Sequence, residues 1–178
     1  MKPKGFTPIS KRSKDRIKKH LRESPELFCI YSLLSEMNLV GYLIGGTVRD
    51  LILNRPIKDI DIAINTNPEH FLKKLSRKIK GYTICLDQEY LIFRFITKDR
   101  LTFDISPLKG DCLLQDLPQR DFTINAIAID LKELFTQATI LTIIDPLEGV
   151  GDMTKKIIRA IVIPKFNFWN YFITHRFK

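Results

Sequence analysis

The 178-residue chain lacks most of what would mark a membrane-spanning, secreted or cysteine-ligated protein. No stretch approaches the roughly 18–20 uninterrupted apolar residues that cross a bilayer. The N-terminus is basic with no apolar run behind it, so neither a secretory signal nor a membrane partner is expected. Cysteine is scarce: Cys29, Cys85 and Cys112 are odd in number, and no two stand at C-x-x-C spacing. That argues against a disulfide framework or a zinc site and for a reduced, cytoplasmic setting. The three histidines, His20, His70 and His175, are scattered and support no histidine-based catalysis. The eight glycines form neither G-x-G-x-x-G nor a P-loop. Acidic residues are missing altogether from Met153 to Lys178.

What is present is unevenly charged. The formal net charge is +9, yet residues 1–22 alone carry nine Lys/Arg against the single acid Asp15. The last 26 residues add six Lys/Arg, which leaves the middle of the chain acidic. Basic ends suit a polyanion, with counterions released from its phosphates, so affinity for it is expected to fall steeply with salt. An acidic centre suits something that holds cations.

Residues 1–26 read as a basic N-terminal extension, with a short helix over Ser13–Arg22. Residues 27–161 read as one packed domain, and 162–178 as an atypical short tail. Within the domain, Leu27–Met37 has helical periodicity, and Val40–Ile44 is an apolar run ended by Gly45-Gly46. A second helix is expected over Thr47–Leu53. Asp59–Ile64 (DIDIAI) alternates as a half-buried strand does, and Asn67-Pro68-Glu69 opens an amphipathic helix to about Ile79. Tyr82–Leu86 and Tyr90–Thr97 read as a strand pair, and Leu101–Ser106 (LTFDIS) as another strand. Pro107–Pro118 reads as a loop, Arg120–Ile129 as helical at first, and Ile140–Ile144 as a strand. A turn-rich stretch with Gly149 and Gly151 then leads into a short basic helix, and Ile157–Ile161 reads as a basic strand. Short turns between strands, with few helices between them, predict an α/β fold of the α+β kind, a mixed sheet with helices mainly on one face.

Chemistry enters with Asp59-x-Asp61. Period two puts both carboxylates on one face of the strand, while Ile60 and Ile62 point into the core. Two like charges side by side raise each other's pKa, and a divalent cation between them removes that cost. Just upstream, Gly45-Gly46 lets backbone approach a ligand closely, and the following helix offers N–H groups and partial positive charge to a phosphate. Arg49 can reach the same anion. Phosphate grip and metal grip on adjacent elements suggest a site for a nucleoside triphosphate with Mg²⁺. If the Leu101–Ser106 strand neighbours Asp59–Ile64, Asp104 could act as general base on an attacking hydroxyl.

Gly45–Asp50 (GGTVRD), Asp59–Asp61 (DID), Arg120–Ala126 (RDFTINA) and Asp145–Arg159 (DPLEGVGDMTKKIIR) resemble, in order and spacing, the head domain of the CCA-adding enzyme and poly(A) polymerase family. The likeness runs from about Leu39 to Ile161. It implies a polymerase β-like nucleotidyltransferase fold and template-independent transfer of nucleotides from CTP or ATP to an RNA 3′ end, tRNA above all. It implies that Asp59 and Asp61 are the Mg²⁺ ligands in a two-metal scheme with pyrophosphate release. Gly45, Gly46 and Arg49 would hold the triphosphate, and Arg120 with Asp121 would complete the nucleotide site; Asn125 falls in the same motif, either as part of that site or only as a tie between the helix and the loop. The short link Pro107–Gln119 looks more like the CCA-adding branch than poly(A) polymerase.

The sequence departs from the family pattern in two places. Gln119 stands where an arginine is usual. After Ile161 no acidic base-reading segment follows, and an aromatic stretch, Phe166 to Phe172, stands in its place. The expectation is a head domain truncated before neck, body and tail, with a separate chain as a possible source of those parts. A remnant that binds nucleotide or RNA without catalysis is the competing reading.

Overall fold

A computed structural model describes residues 5–7, 15, 17, 21, 24–136 and 141–161. The sheet is built from short strands: β1 (Phe6–Thr7), β2 (Gly41–Ile44), β3 (Asp59–Ile64), β4 (Gly81–Asp87), β5 (Ile92–Thr97), β6 (Thr102–Pro107), β7 (Ala128–Asp130) and β8 (Ile143–Ile144). Among the described residues the helices are α1 (Pro25–Glu36), α2 (Gly45–Leu53), α3 (Pro68–Lys78), α4 (Leu113–Asp116), α5 (Leu131–Phe135) and α6 (Gly149–Lys155). The eight strands lie in the order β1-β8-β7-β2-β3-β6-β5-β4. Only β3 and β6 run parallel; every other neighbouring pair is antiparallel.

Local chemistry starts the helices. Ser24 accepts the Leu27 N–H at 3.2 Å to cap α1, and Pro25 occupies a first-turn position where an N–H would have no partner. Asn67 caps α3 by accepting the Glu69 N–H at 2.9 Å, and Arg77 and Lys78 sit in its last turn, where cations offset the helix dipole. Leu27, Ile30, Leu33 and Leu34 of α1 and Phe71, Leu72 and Leu75 of α3 are buried. They share one core with Val48 and Leu51 of α2, Leu131 and Leu134 of α5, and the sheet residues Leu43, Ile62, Phe95, Phe103 and Ile105. Each such side chain contributes roughly 1.5–3 kcal/mol on burial. This is the mixed sheet with helices mainly on one face that the sequence led us to expect. The opposite face is covered at one end by Leu113 and Leu117 packed with Ile44, Ala63, Ala126 and Ala128.

Several boundaries differ from the sequence reading. Helix α2 begins at Gly45, so the glycine pair forms its first turn and Arg49 lies in the second. Pro107–Pro118 is not all loop: it contains α4, which runs into a 3₁₀ turn over Leu117–Gln119. Arg120–Ile129 is not helical beyond one 3₁₀ turn, Thr123–Asn125. Long-range pairing decides this, because Ala128–Asp130 adds to the sheet beside β2. Tyr90 and Leu91 lie in the β4–β5 turn, with Leu91 at φ 52°, and the strand starts at Ile92. Ile157–Ile161 is not a strand; it makes a single bridge, Phe122 with Ala160. Helix α5 was not anticipated. Ile140 and residues 162–178 lie outside the described residues, as does most of Ser13–Arg22. From the N-terminal segment, Phe6–Thr7 pairs with β8, and Ile17 and Leu21 are helical and buried in the core. No helix among the described residues is long and apolar enough to cross a membrane.

Candidate active site

The parallel pairing of β3 with β6 brings the acids together. Asp61 stands in register with Asp104, and Asp104 with Arg94 of β5. Asp59 lies two residues before Asp61 on the same face, 43% exposed. Arg94 grips Asp104 through both oxygens: Nε donates to Oδ1 and Nη2 to Oδ2, each at 2.7 Å. The same Nη2 lies 3.5 Å from Asp59 Oδ2. Asp104, expected as a general base, therefore has both carboxylate oxygens paired.

Asp61 is tied to α2 by Thr47. The Asp61 N–H donates to Thr47 Oγ1 at 2.7 Å, and the hydroxyl reaches Asp61 Oδ2 at 3.2 Å and the Asp59 carbonyl at 3.3 Å. Burial pushes the Asp61 carboxyl above its ordinary pKa, and the charge of Asp104 adds to this; the Thr47 hydrogen bonds and Arg120 pull the other way. A carboxylate that is costly to ionise in isolation, beside a second carboxylate on the same strand, fits an oxygen-seeking divalent cation. Among the described residues no group of three metal-capable side chains converges.

The glycine turn closes on Asp61. Gly45 has φ +60°, a left-handed backbone that costs a glycine nothing. A Cβ at Gly45 would stand 3.7 Å from Arg120 Nη1 and 3.9 Å from Asp61 Oδ2. At Gly46 it would stand 3.4 Å from Arg49 Nη2 and 3.6 Å from Asp61 Oδ2. The side chains that these two glycines omit would fill the space bounded by one carboxylate and two guanidinium groups. No side chain caps α2, since Ile44 occupies the N-cap.

Both arginines are held. Arg49 donates twice to Asp50, at 3.0 and 2.9 Å, and through Nη1 to Asn125 Oδ1 at 2.8 Å. Asn125 Nδ2 donates to Asp121 Oδ1 at 3.0 Å. Arg120 donates from Nε and Nη2 to Asp116 Oδ2, at 2.9 and 2.6 Å, and Asp116 Oδ1 accepts the Lys109 N–H. Gln119, where an arginine is usual, donates to the carbonyls of Lys109 and Gln115.

Of the residues singled out from sequence, Gly45, Gly46, Asp61, Arg49, Arg120 and Asn125 surround one space, with Asp59 and Asp104 alongside. Asp121 is exposed and its contacts run to Asn125 and the Phe122 N–H, not to the acids. The Asp145–Arg159 motif braces the site from behind. Asp145 accepts the Gly149 and Val150 N–H groups at the start of α6, and buried Asp152 accepts from Thr123 Oγ1 and Arg159. Sequence reasoning missed Thr47, Arg94 and Asp116. Thr47 sits inside GGTVRD, and Arg94 is the one charged residue of its strand; both were available as signals.

Comparison with known proteins gives a consistent picture. A family model described as the poly(A) polymerase head domain matches residues 41–159. A CC-adding tRNA nucleotidyltransferase of Geobacter sulfurreducens is 34% identical over 74% of this chain and 29% of its own length. A CCA-adding enzyme of Lactobacillus johnsonii is 36% identical over 77% of this chain and 36% of its own length. A solved complex of a CCA-adding enzyme with CTP superposes with a TM-score of 0.70 at 27% identity, over 89% of this chain and 38% of that one. The chain thus spans about a third of the length of the relatives it matches.

Proposed function

Because the chain belongs to the poly(A) polymerase head-domain family, with its polymerase β-like fold, we propose that it is the catalytic head of a template-independent RNA nucleotidyltransferase. The reaction is transfer of a nucleotide from CTP or ATP to the 3′-hydroxyl of an RNA, with pyrophosphate released. Similarity to CC- and CCA-adding enzymes supports tRNA as the acceptor. One observation carries the reading: Asp61 Oδ2 lies within 4 Å of where side chains at both Gly45 and Gly46 would begin, with Arg49 and Arg120 on either side. Anion-binding and cation-binding groups face the same space, as a metal-bound triphosphate requires.

Each group has a separate task. The first turn of α2 and Arg49 bind the triphosphate, with Asp50 and Asn125 fixing the guanidinium. Arg120, anchored on buried Asp116, bounds the other side. Asp59 and Asp61 would hold Mg²⁺, whose chemistry when bound is to lower the pKa of the attacking hydroxyl and neutralise charge on the departing pyrophosphate. Thr47 orients Asp61 toward the glycine turn. Positioning and electrostatics supply the rate in such sites, so neither β3 carboxylate is dispensable.

The test is incubation of the chain with Mg²⁺, labelled CTP or ATP, and tRNA lacking its 3′ end. Label is expected to enter the RNA with the wild-type chain and not with an Asp59→Ala, Asp61→Ala control. Incorporation no higher than the control, with CTP still bound, would replace the enzyme reading with a nucleotide-binding one. ATP used in long runs in preference to CTP would point to poly(A) synthesis.

A further inference from the structure

Arg94 is the only charged residue of β5, and the reaction outlined above gives it no task. Its guanidinium takes both oxygens of Asp104 in a bidentate pair and lies 3.5 Å from Asp59. Register places Asp104 directly opposite Asp61, one strand away. Without the guanidinium, a third carboxylate would face the same space as Asp59 and Asp61. With it, no trio of metal-capable groups forms among the described residues. Arg94 holds one acid out and puts a fixed positive charge against another.

We propose that Arg94 is a positioning residue that keeps the cation site to two carboxylates, so that a divalent ion is held only weakly until a triphosphate arrives with it. The proposal rests on the nucleotidyltransferase reading above. Its physical basis is ligand charge. Mg²⁺ is commonly held by one or two carboxylates completed by substrate phosphates, and a third carboxylate would raise affinity for the free ion and compete with those phosphates. A guanidinium beside Asp59 lowers free-ion affinity further by direct repulsion. Asp104 is then the anchor of Arg94, and its own pairing keeps the guanidinium from closing fully onto Asp59.

The experiment is titration of Mn²⁺ alone into the 178-residue chain, with bound ion read by electron paramagnetic resonance. Arg94→Gln is expected to bind free Mn²⁺ about tenfold more tightly than wild type, since a repelling charge goes and Asp104 is released. Adding Asp104→Asn to that variant should remove the part of the gain that the released carboxylate supplies. Asp104→Asn alone frees Arg94 to swing onto Asp59 and should bind Mn²⁺ more weakly than wild type. A merely structural arginine would give looser or unchanged binding on removal, so equal or weaker affinity in folded Arg94→Gln overturns the proposal. If Arg94→Gln does not fold, Asp104→Asn decides: affinity equal to wild type or tighter overturns it. Wild-type chain that takes up Mn²⁺ with CTP, combined with an unmoved Arg94→Gln affinity, sinks the Arg94 proposal alone. No Mn²⁺ uptake even with CTP sinks the nucleotidyltransferase reading and this proposal together.

Discussion

The carboxamide of Asn125 joins Arg49, 76 positions earlier in the chain, to Asp121: its Oδ1 accepts from Arg49 Nη1 at 2.8 Å and its Nδ2 donates to Asp121 Oδ1 at 3.0 Å. One side chain thus couples the helix that follows the glycine turn to the RDFTINA loop. In the proposed site Asn125 would act on the nucleotide through Arg49, by fixing one end of a guanidinium whose other edge is paired with Asp50.

Replacing Asn125 with alanine should therefore weaken nucleotide binding more than it weakens the fold. A hydrogen bond to a charged group is worth about 1.5–3 kcal/mol, which corresponds to a tenfold or greater loss of CTP affinity if the guanidinium is freed. Asp50 keeps Arg49 paired, so the loss of fold stability should not exceed the worth of that one bond. Titration of CTP and a thermal melt on the same sample check both halves. Affinity within twofold of wild type would place Arg49 outside the triphosphate site.

Gly46 separates space from backbone strain. Unlike Gly45, it does not carry positive φ, so Gly46→Ala imposes no left-handed penalty. The added methyl would sit 3.4 Å from Arg49 Nη2 and 3.6 Å from Asp61 Oδ2, contacts that a small side-chain shift accommodates. Stability should stay within about 1 kcal/mol of wild type, the scale of a Gly→Ala change at a backbone conformation that alanine can adopt. Triphosphate binding should fall at least about tenfold, because the methyl occupies the space into which the backbone admits phosphate. Full CTP affinity in Gly46→Ala would move the anion site away from the glycine turn.

How much of this could be read from the sequence depended on whether the cause was local. Asp59–Ile64 and the Asp104 strand alternate so cleanly that their faces followed directly, and β3 and β6 lie where expected, within a residue or so. That the two strands are neighbours could be posed only as a condition, because parallel pairing is made between segments 43 positions apart, Asp61 opposite Asp104. Arg94 escaped notice for a related reason. On one strand a polar residue among apolar ones reads as solvent-facing, and its partners lie on β6 and β3. Arg120–Ile129 read as helical at first, but Ala128–Asp130 takes its hydrogen bonds from β2. Helix α4, four residues long, is too short to display a period.

The raised pKa of Asp61 makes a pH prediction with a definite sign. Its cause is chiefly burial, with Asp104 adding to it. A carboxyl whose folded pKa lies above its unfolded value binds protons more tightly in the native state. It contributes stability below the ordinary aspartate range, near pH 3.9, and loses that contribution as pH rises through the folded pKa. At neutral pH ionised Asp61 is therefore a net cost to the fold. Asp61→Asn removes the charge while keeping an oxygen that can accept from Thr47. The variant should melt above wild type at pH 7, and the gap should close toward pH 4, while nucleotide transfer is lost. Melting curves across that range decide it: a variant less stable than wild type at pH 7 would mean that the Thr47 and Arg120 contacts outweigh burial.

Gly149 tests whether the fourth motif acts on the site from a distance. A Cβ there would collide with the carbonyl oxygen of Thr123, a backbone atom, and would also crowd Ile124 Cα at 3.2 Å. The glycine lies in the first turn of α6 with no positive φ, so the effect of alanine is purely steric. The 3₁₀ turn it would push against, Thr123–Asn125, carries the carboxamide that holds Arg49. Forcing a methyl between two backbones costs about 1–3 kcal/mol. Gly149→Ala should therefore lower the melting temperature and CTP affinity together. The partner experiment is Thr123→Val, which deletes the hydroxyl bonded to buried Asp152 but leaves the backbone contact with Gly149 intact. It should cost stability through the unpaired carboxylate oxygen, about 1–3 kcal/mol, with a smaller effect on affinity. If Gly149→Ala lowers stability while CTP affinity matches wild type, the α6 contact maintains the fold and does not set the position of Asn125.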